Sequence, residues 1–365
     1  MKRSIPIACS TCGASCPGDS NPYRCPECGG LYEIDDEFVL AAGARMMDAG
    51  QPAGSGDGNS EVGWITLGEG STPLIPLKAF GRTIYCKCEH LNPTGSFKDR
   101  GTAELVNALL QRGVKEAVED SSGNAGASFA AYAAAAGMKA RVFMPAYASG
   151  PKKLQIEAYG AEIVLVEGPR SKAAEAVLEE AASGVVYASH AWLPYGQLGI
   201  ARTAFELVSE LGQAPGAVIT PAGHGSMLLG LGKGFTAAEK NGAVAKLPPL
   251  VGVQARACAP LYDRFHHGNE AADKVSEGET AAEGIRILHP YRAEAVLEYV
   301  KCSGGTFLTV EEKDILAGHR ELRTRGLHVE KTSAVVWPAL EQVIDELRDP
   351  VVVILTGNGL KEDAL

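Results

Sequence analysis

One lysine stands where the local chemistry disfavours its charge. The segment Asn92 to Gly101, NPTGSFKDRG, begins as a turn and then opens a helix that runs on through TAELVNALLQRG. Lys98 falls in the first turn, facing the positive end of the helix dipole, where a cation is disfavoured by about 0.3–1 kcal/mol. The position favours a neutral amine, the form that attacks a carbonyl. Three glycine-bearing loops, each after a strand-like run and before a helix, have complementary chemistry. SSGNAG (Ser121, Ser122, Gly123, Asn124, Ala125, Gly126) offers free backbone N–H groups and an amide to a carboxylate. TPAGHGS (Ala222, Gly223, His224, Gly225 and Ser226 at its centre) is an anion nest of the kind that holds a phosphate. LTGNGLK places the Thr356 hydroxyl at the carboxyl end of a buried strand, the edge where open α/β sheets bind ligands. Taken singly, each loop also reads as an ordinary connection.

Together, a neutral lysine, an anion nest, a carboxylate loop and a strand-end hydroxyl describe a site for an aldehyde that carries a phosphate, which is pyridoxal phosphate. Neither the Walker pattern nor G-x-G-x-x-G occurs at the anion nest, so a nucleotide is not favoured there.

A second constellation lies at the N-terminus. Cys9 and Cys12 form one C-x-x-C pair and Cys25 and Cys28 another, with Gly13 and Gly29 after them where the chain must turn tightly. Four thiolates at this spacing can close a tetrahedral structural zinc site, and so short a module has too little core to fold without one. The same thiols also admit a redox reading; Cys16 reads as a bystander.

These residues are carried by alternating elements. Apolar runs such as TIYCKCEH, ARVFMP, AEIVLVE, GVVYAS, GAVIT, LVGVQA and VVVIL alternate with helical patterns such as ASFAAYAAAAG and SKAAEAVLEEAAS. That alternation predicts an α/β fold with parallel sheets covered by helices. The chain has 365 residues, is 45% hydrophobic and 21% charged, and carries a net charge of -10 with no basic stripe. This speaks against nucleic acid or an anionic membrane as partner and for small molecules. No run of about 18 apolar residues and no signal-peptide pattern is present, and nine cysteines are not arranged as a disulfide framework, which predicts a cytoplasmic protein.

Beyond these readings, EGSTPLIPL (69 to 77), NPTGSFKDRG, SSGNAGAS, PAGHGS and LTGNGLK occur in this order from about residue 62 onward. In that set the chain resembles the threonine synthase family of fold-type II, tryptophan synthase β-like pyridoxal-phosphate enzymes, many of which also have an N-terminal cysteine ribbon. The resemblance implies two α/β domains with parallel or mixed sheets and the cofactor between them. The implied boundaries are a zinc ribbon over 1–40, a linker over 41–61, a large cofactor-binding domain over 62–95 and 195–365, and a small domain over 96–194. It further implies that Lys98 links to the cofactor aldehyde and shuttles protons, and that Asn124 donates to the ring O3′. Ala222 to Ser226 would hold the phosphate, Thr356 would meet the ring nitrogen, and Ser121, Ser122, Gly123 and Ala125 would bind an amino-acid substrate, in a homodimer. A neutral hydroxyl partner leaves the ring nitrogen less firmly protonated than a carboxylate would, a weaker electron sink suited to eliminations and replacements.

The implied activity is that of a lyase converting O-phosphohomoserine and water to threonine and phosphate. Two positions depart from the family pattern. Ala125 stands where the family has threonine, and Gly196 falls near the position of an arginine that would fork onto the substrate phosphate. Arg202, Lys152 and Lys153 are substitutes for that cation. The alternatives are a β-eliminating or β-replacing enzyme, such as a serine/threonine ammonia-lyase or a cysteate-synthase-like enzyme acting on phosphoserine, and a binding protein on an inactive scaffold.

Overall fold

Short β-branched runs separated by alanine- and leucine-rich helical stretches fold here as the alternation predicts. The computed structural model describes residues 5–17, 20–35, 37–42 and 64–362, so most of the segment expected as a linker lies outside the described residues. The strands are β1 (Ile7–Cys9), β2 (Tyr32–Ile34), β3 (Leu74–Ala79), β4 (Arg82–Lys87), β5 (Glu116–Glu119), β6 (Lys139–Pro145), β7 (Glu162–Val166), β8 (Val186–Tyr187), β9 (Ala217–Pro221), β10 (Leu250–Ala255), β11 (Thr306–Val310) and β12 (Val351–Ile354). The helices that bear on the site are α1 (Lys98–Gln111), α2 (Asn124–Ala135), α3 (Pro151–Ala158), α4 (Arg170–Ala182), α5 (Gly196–Leu211) and α6 (Ser226–Lys240). The apolar patterns above do not single out β3, β5 or β11; β5 in particular reads EAVE, with a carboxylate at each end.

The chain divides into two units, residues 1–69, 98–199 and 362–365 in one and residues 70–97 and 200–361 in the other. The second unit is built on a six-stranded sheet ordered β11-β10-β9-β12-β4-β3. All neighbours are parallel except β3, which joins β4 through a two-residue turn at Phe80 and Gly81. Both turn residues have positive φ, 50° and 71°, as the tight hairpin demands. Phe80 tolerates this conformation while its ring packs 5.2 Å from that of Trp337.

The central strand β12, VVVI, is buried on both faces. Val351 and Val353 join one apolar cluster with Ile219, Val253 and Trp337, whereas Val352 and Ile354 join another with Val218, Leu228 and Phe307. A continuous apolar strand is what a parallel sheet covered on both faces requires.

The first unit holds a four-stranded parallel sheet, β7-β6-β5-β8, and the antiparallel β1-β2 pair of the cysteine segment. The sequence predicts a separate ribbon, yet residues 5–34 group with residues 98–199. Specific contacts explain the grouping. The Arg112 guanidinium, just past α1, donates to the Asn21 side chain and to the carbonyls of Pro17 and Ser20. Tyr23 meets Tyr187 and Trp192 edge to face at 5.4 and 5.6 Å.

If Arg112 is a main tie of this segment, Arg112→Ala should speed hydrogen exchange in residues 5–34 by about tenfold or more, equivalent to losing one charge-assisted bond of about 1.5 kcal/mol. Exchange in β5 to β8 should be unchanged. Uniform acceleration through the unit would contradict this account.

Candidate active site

In the first unit, Lys98 is the first residue of α1, so its amine leaves the helix at the end the dipole makes positive. Desolvation lowers its pKa from the ordinary lysine value to about 8; the Glu119 carboxylate pulls it up and the Arg170 charge pushes it down. The neighbouring Asp99 is fully buried and accepts a hydrogen bond from Ser128 of α2 at 2.6 Å. Asp99 therefore ties α1 to α2, and an exposed Lys98–Asp99 pair is not what this stretch encodes.

The predicted carboxylate loop lies where β5 gives way to α2. Gly123 caps the helix in an extended conformation and its N–H meets the Ser121 hydroxyl at 3.3 Å. Gly126 is required by packing, since a Cβ there would lie 1.8 Å from the Ser121 carbonyl oxygen. Ser121 and Ala125 are buried, while Ser122, Gly123 and Asn124 are partly exposed at the helix N-terminus. The loop keeps the arrangement an anion would use.

In the second unit, Ala222 to Gly225 lead from β9 into α6. The Ala222 N–H donates to the Val253 carbonyl at 2.8 Å and its own carbonyl accepts from the Gln254 amide at 3.0 Å, which anchors the start of the turn. Gly225 has φ 79°, a left-handed conformation that lets Ser226 open a 15-residue helix. The His224 ring stacks on Tyr291 at 5.2 Å, which fixes its plane. Thr356 follows β12, is buried, and shares a 3.0 Å hydrogen bond with the Ser333 hydroxyl. Ser333 also accepts from the Gly357 N–H at 2.7 Å. Nothing in the stretch KTSAVVW marks Ser333 from sequence.

The two motif loops NPTGSF and TGNGLK are laced together within this unit. Phe97 N–H donates to the Thr356 carbonyl at 3.0 Å, Asn358 N–H to the Gly95 carbonyl at 2.9 Å, and the Lys361 amine to the Thr94 carbonyl at 2.7 Å. Lys361 is buried and spent on the backbone. Lys98 is the residue that follows Phe97 in the chain.

The position of the expected phosphate-binding arginine is tightly packed. Gly196 and Gly101 are packed backbone to backbone in the first unit, and a Cβ at Gly196 would lie 3.2 Å from the Gly101 Cα and carbonyl oxygen. A side chain there would need the Gly101 backbone to give by a few tenths of an ångström. Of the proposed substitutes, Lys153 pairs with Glu157 on its own helix at 3.2 Å.

The cysteines behave as the spacing predicts. The Sγ atoms of Cys9, Cys12, Cys25 and Cys28 all lie within 4.8 Å of one another. Cys9 to Cys28 is 3.5 Å and Cys12 to Cys25 is 3.6 Å, close to the edge of roughly 3.8 Å of a tetrahedron with metal–sulfur bonds of about 2.3 Å. Gly13 and Gly29 turn with φ of 75° and 73°. Burial alone would raise the Cys9 thiol, but the Cys12 and Thr11 N–H groups together with hydrogen bonds from the Cys28 and Cys12 thiols outweigh it and bring its pKa to about 6. Cys16 stands apart, beside Arg112.

Comparison with known proteins decides what this geometry belongs to. The family described as pyridoxal-phosphate dependent enzymes matches residues 65–357. The chain belongs to that family. It is 32% identical to the threonine synthase of Methanocaldococcus jannaschii over 97% of this chain and 92% of the relative. It is 36% identical to the threonine synthase of Mycobacterium bovis over 82% of this chain and 84% of the relative. Among solved structures it is similar to a threonine deaminase from T.th., with TM-score 0.71, 26% identity, and coverage of 90% of this chain and 99% of the other. The protein is thus a threonine-synthase-like, pyridoxal-phosphate-dependent lyase of fold-type II. No helix among the described residues is long and apolar enough to cross a membrane.

The desolvated amine makes a direct prediction. In protein stripped of cofactor, acylation of Lys98, followed by peptide mapping, should reach half its limiting rate near pH 8, whereas an ordinary solvated lysine needs a pH of about 10 or more. A half-maximum for Lys98 near that of surface lysines would refute the desolvation argument.

Proposed function

We propose that the protein is a threonine synthase that uses O-phosphohomoserine and water, with Lys98 as the lysine that carries the cofactor. The observation that carries this reading is the match to threonine synthases along nearly the full chain, cysteine segment included. Bound pyridoxal phosphate supplies an electrophilic carbonyl for the substrate amine and an electron-withdrawing ring to which the substrate carbons are conjugated.

The chain supplies the rest. The amine of Lys98, held close to its neutral form, takes the proton from the substrate Cα and returns protons as the side chain is rebuilt. The backbone donors of Ser121 to Ala125 would hold the substrate carboxylate, and the Asn124 amide would donate to the cofactor's ring hydroxyl oxygen. Ala222 to Ser226 hold the cofactor phosphate on the α6 N-terminus. Thr356, its hydroxyl already engaged with Ser333, meets the ring nitrogen as a neutral partner. A neutral partner favours release of a leaving group from the side chain over chemistry that needs a strongly protonated ring.

The glycine at 196, which offers no guanidinium near the expected place, favours a second reading, a β-eliminating or β-replacing enzyme whose substrate does not need an arginine fork. Relative kcat/KM for O-phosphohomoserine, phosphoserine, serine and threonine separates the two. Threonine synthase predicts O-phosphohomoserine in first place. It also predicts a roughly tenfold to hundredfold loss in Arg202→Ala or in the Lys152→Ala, Lys153→Ala double variant, as expected for losing a charge-assisted bond of about 1.5–3 kcal/mol. A preference for unphosphorylated serine or threonine would sink it, and phosphoserine in first place would move the reading to β-replacement.

The four thiolates fit a structural zinc ion, with no open position for catalysis. We expect one zinc per chain by elemental analysis, and Cys12→Ser should lose it and lower Tm without changing the pH at which Lys98 is acylated. A zinc-free protein with an equally protected residue 5–34 segment would contradict this. The nine free cysteines suit the reducing cytoplasm, and a homodimer is expected, as light scattering can check.

A further inference from the structure

The strand register of the first unit brings together two residues that none of the assignments above employs. β5 and β8 run parallel with Val118 opposite Tyr187, and the Ala188 N–H donates to the Val118 carbonyl at 2.8 Å. The residues that follow therefore emerge at one carboxyl edge of the sheet. There Glu119 Oε1 lies 2.7 Å from His190 Nδ1, and the Tyr187 hydroxyl donates to Asp120 at 2.6 Å. The Glu119 side chain is 1% exposed and that of His190 is 21% exposed. A carboxylate so deep is costly unless a donor meets it, and the partly exposed imidazole does so.

This edge is also the start of the carboxylate loop, since Ser121 follows Asp120 directly. Among the charges that act on the Lys98 amine, that of Glu119 is the largest, with Arg170 opposing it. Burial pushes the Glu119 carboxyl well up from its ordinary value and Asp120 adds to this, while the charges of Lys98 and Arg170 pull it back. Its ionisation is thus contested by its surroundings.

We propose that Glu119 and His190 act as one proton-sharing unit that governs whether the amine of Lys98 is charged. With the carboxylate ionised, an ammonium at Lys98 is favoured; once the pair takes up a proton, the amine is left without its counter-charge and becomes the base. The proton enters and leaves through His190, because Glu119 itself has almost no access to water. Both are positioning residues that act through Lys98. The inference rests on the reading of Lys98 as the lysine that bears the cofactor.

The test is a pH titration of the visible absorbance of the holoenzyme, which follows the proton on the nitrogen joining Lys98 to pyridoxal phosphate. Glu119→Gln, which fixes that position neutral, should leave this nitrogen roughly tenfold less protonated at a given pH, a shift of about one unit downward. His190→Ala should move it in the same direction, because a carboxyl deprived of its donor turns neutral. His190→Gln, which restores a donor but cannot carry a proton, should recover part of the shift. Titrations of folded His190→Ala and Glu119→Gln proteins that match wild type would overturn the proposal, and if Glu119→Gln does not fold, the two His190 variants decide alone. If the protein binds no pyridoxal phosphate, the proposed function fails separately. The pH dependence of Lys98 acylation in the same variants then tests the pair, with the same direction expected and an unchanged profile counting against it.

Discussion

An amine does nucleophilic and basic work only when it is free of its proton, and water favours the protonated form. The architecture around Lys98 is organised against that preference. Its place at the start of α1 sets the helix dipole against a positive charge, and desolvation does more, bringing the pKa to about 8. The neighbouring groups then have to avoid undoing this. Asp99, one residue on, would be the natural counter-ion, but it is turned into the protein and committed to Ser128. The opposite charge that acts on the amine comes instead from Glu119, a group whose own ionisation is contested by burial.

Each unit positions the loop expected to hold an anion by the same device. A loop leaves the carboxyl edge of a parallel sheet and starts a helix, β5 into α2 in the first unit and β9 into α6 in the second. Backbone donors at such an edge are aimed by the sheet and left unused by the helix, so they are available to an anion without the protein having to bury a charge of its own. The first of these loops is held by close backbone packing, with Gly126 beneath the Ser121 carbonyl, and by the Ser121 hydroxyl. Close packing of that sort also removes options. Where Gly101 and Gly196 meet, the backbones lie so close that even a Cβ would need them to give by a few tenths of an ångström.

The cysteine segment is tied into the first unit by a guanidinium and by aromatic edges, contacts that have no periodic signature. Four thiols at knuckle spacing are legible because metal geometry constrains neighbours in sequence. Arg112 reaching residues 17, 20 and 21 is not legible, because an arginine at the end of a helix looks the same whether it meets solvent or a partner far away in the chain.

By itself the sequence determined the fold class and the cofactor chemistry, and it singled out Lys98 and the four clustered cysteines as candidates. These depend on local features: the period of apolar residues, a glycine where a turn needs one, a cation at the wrong end of a helix, and paired cysteines. The tertiary structure decided that Ser333 engages Thr356, that Gly196 packs backbone to backbone on Gly101, and that His190 reaches Glu119. Each of these is set by which strands lie side by side and by how closely two helices approach. β5, with carboxylates at both ends of a four-residue strand, carried almost no apolar signal of its own, and its importance came from the strands that flank it. Contacts between residues far apart in the chain are fixed by packing and register, and no local pattern encodes them.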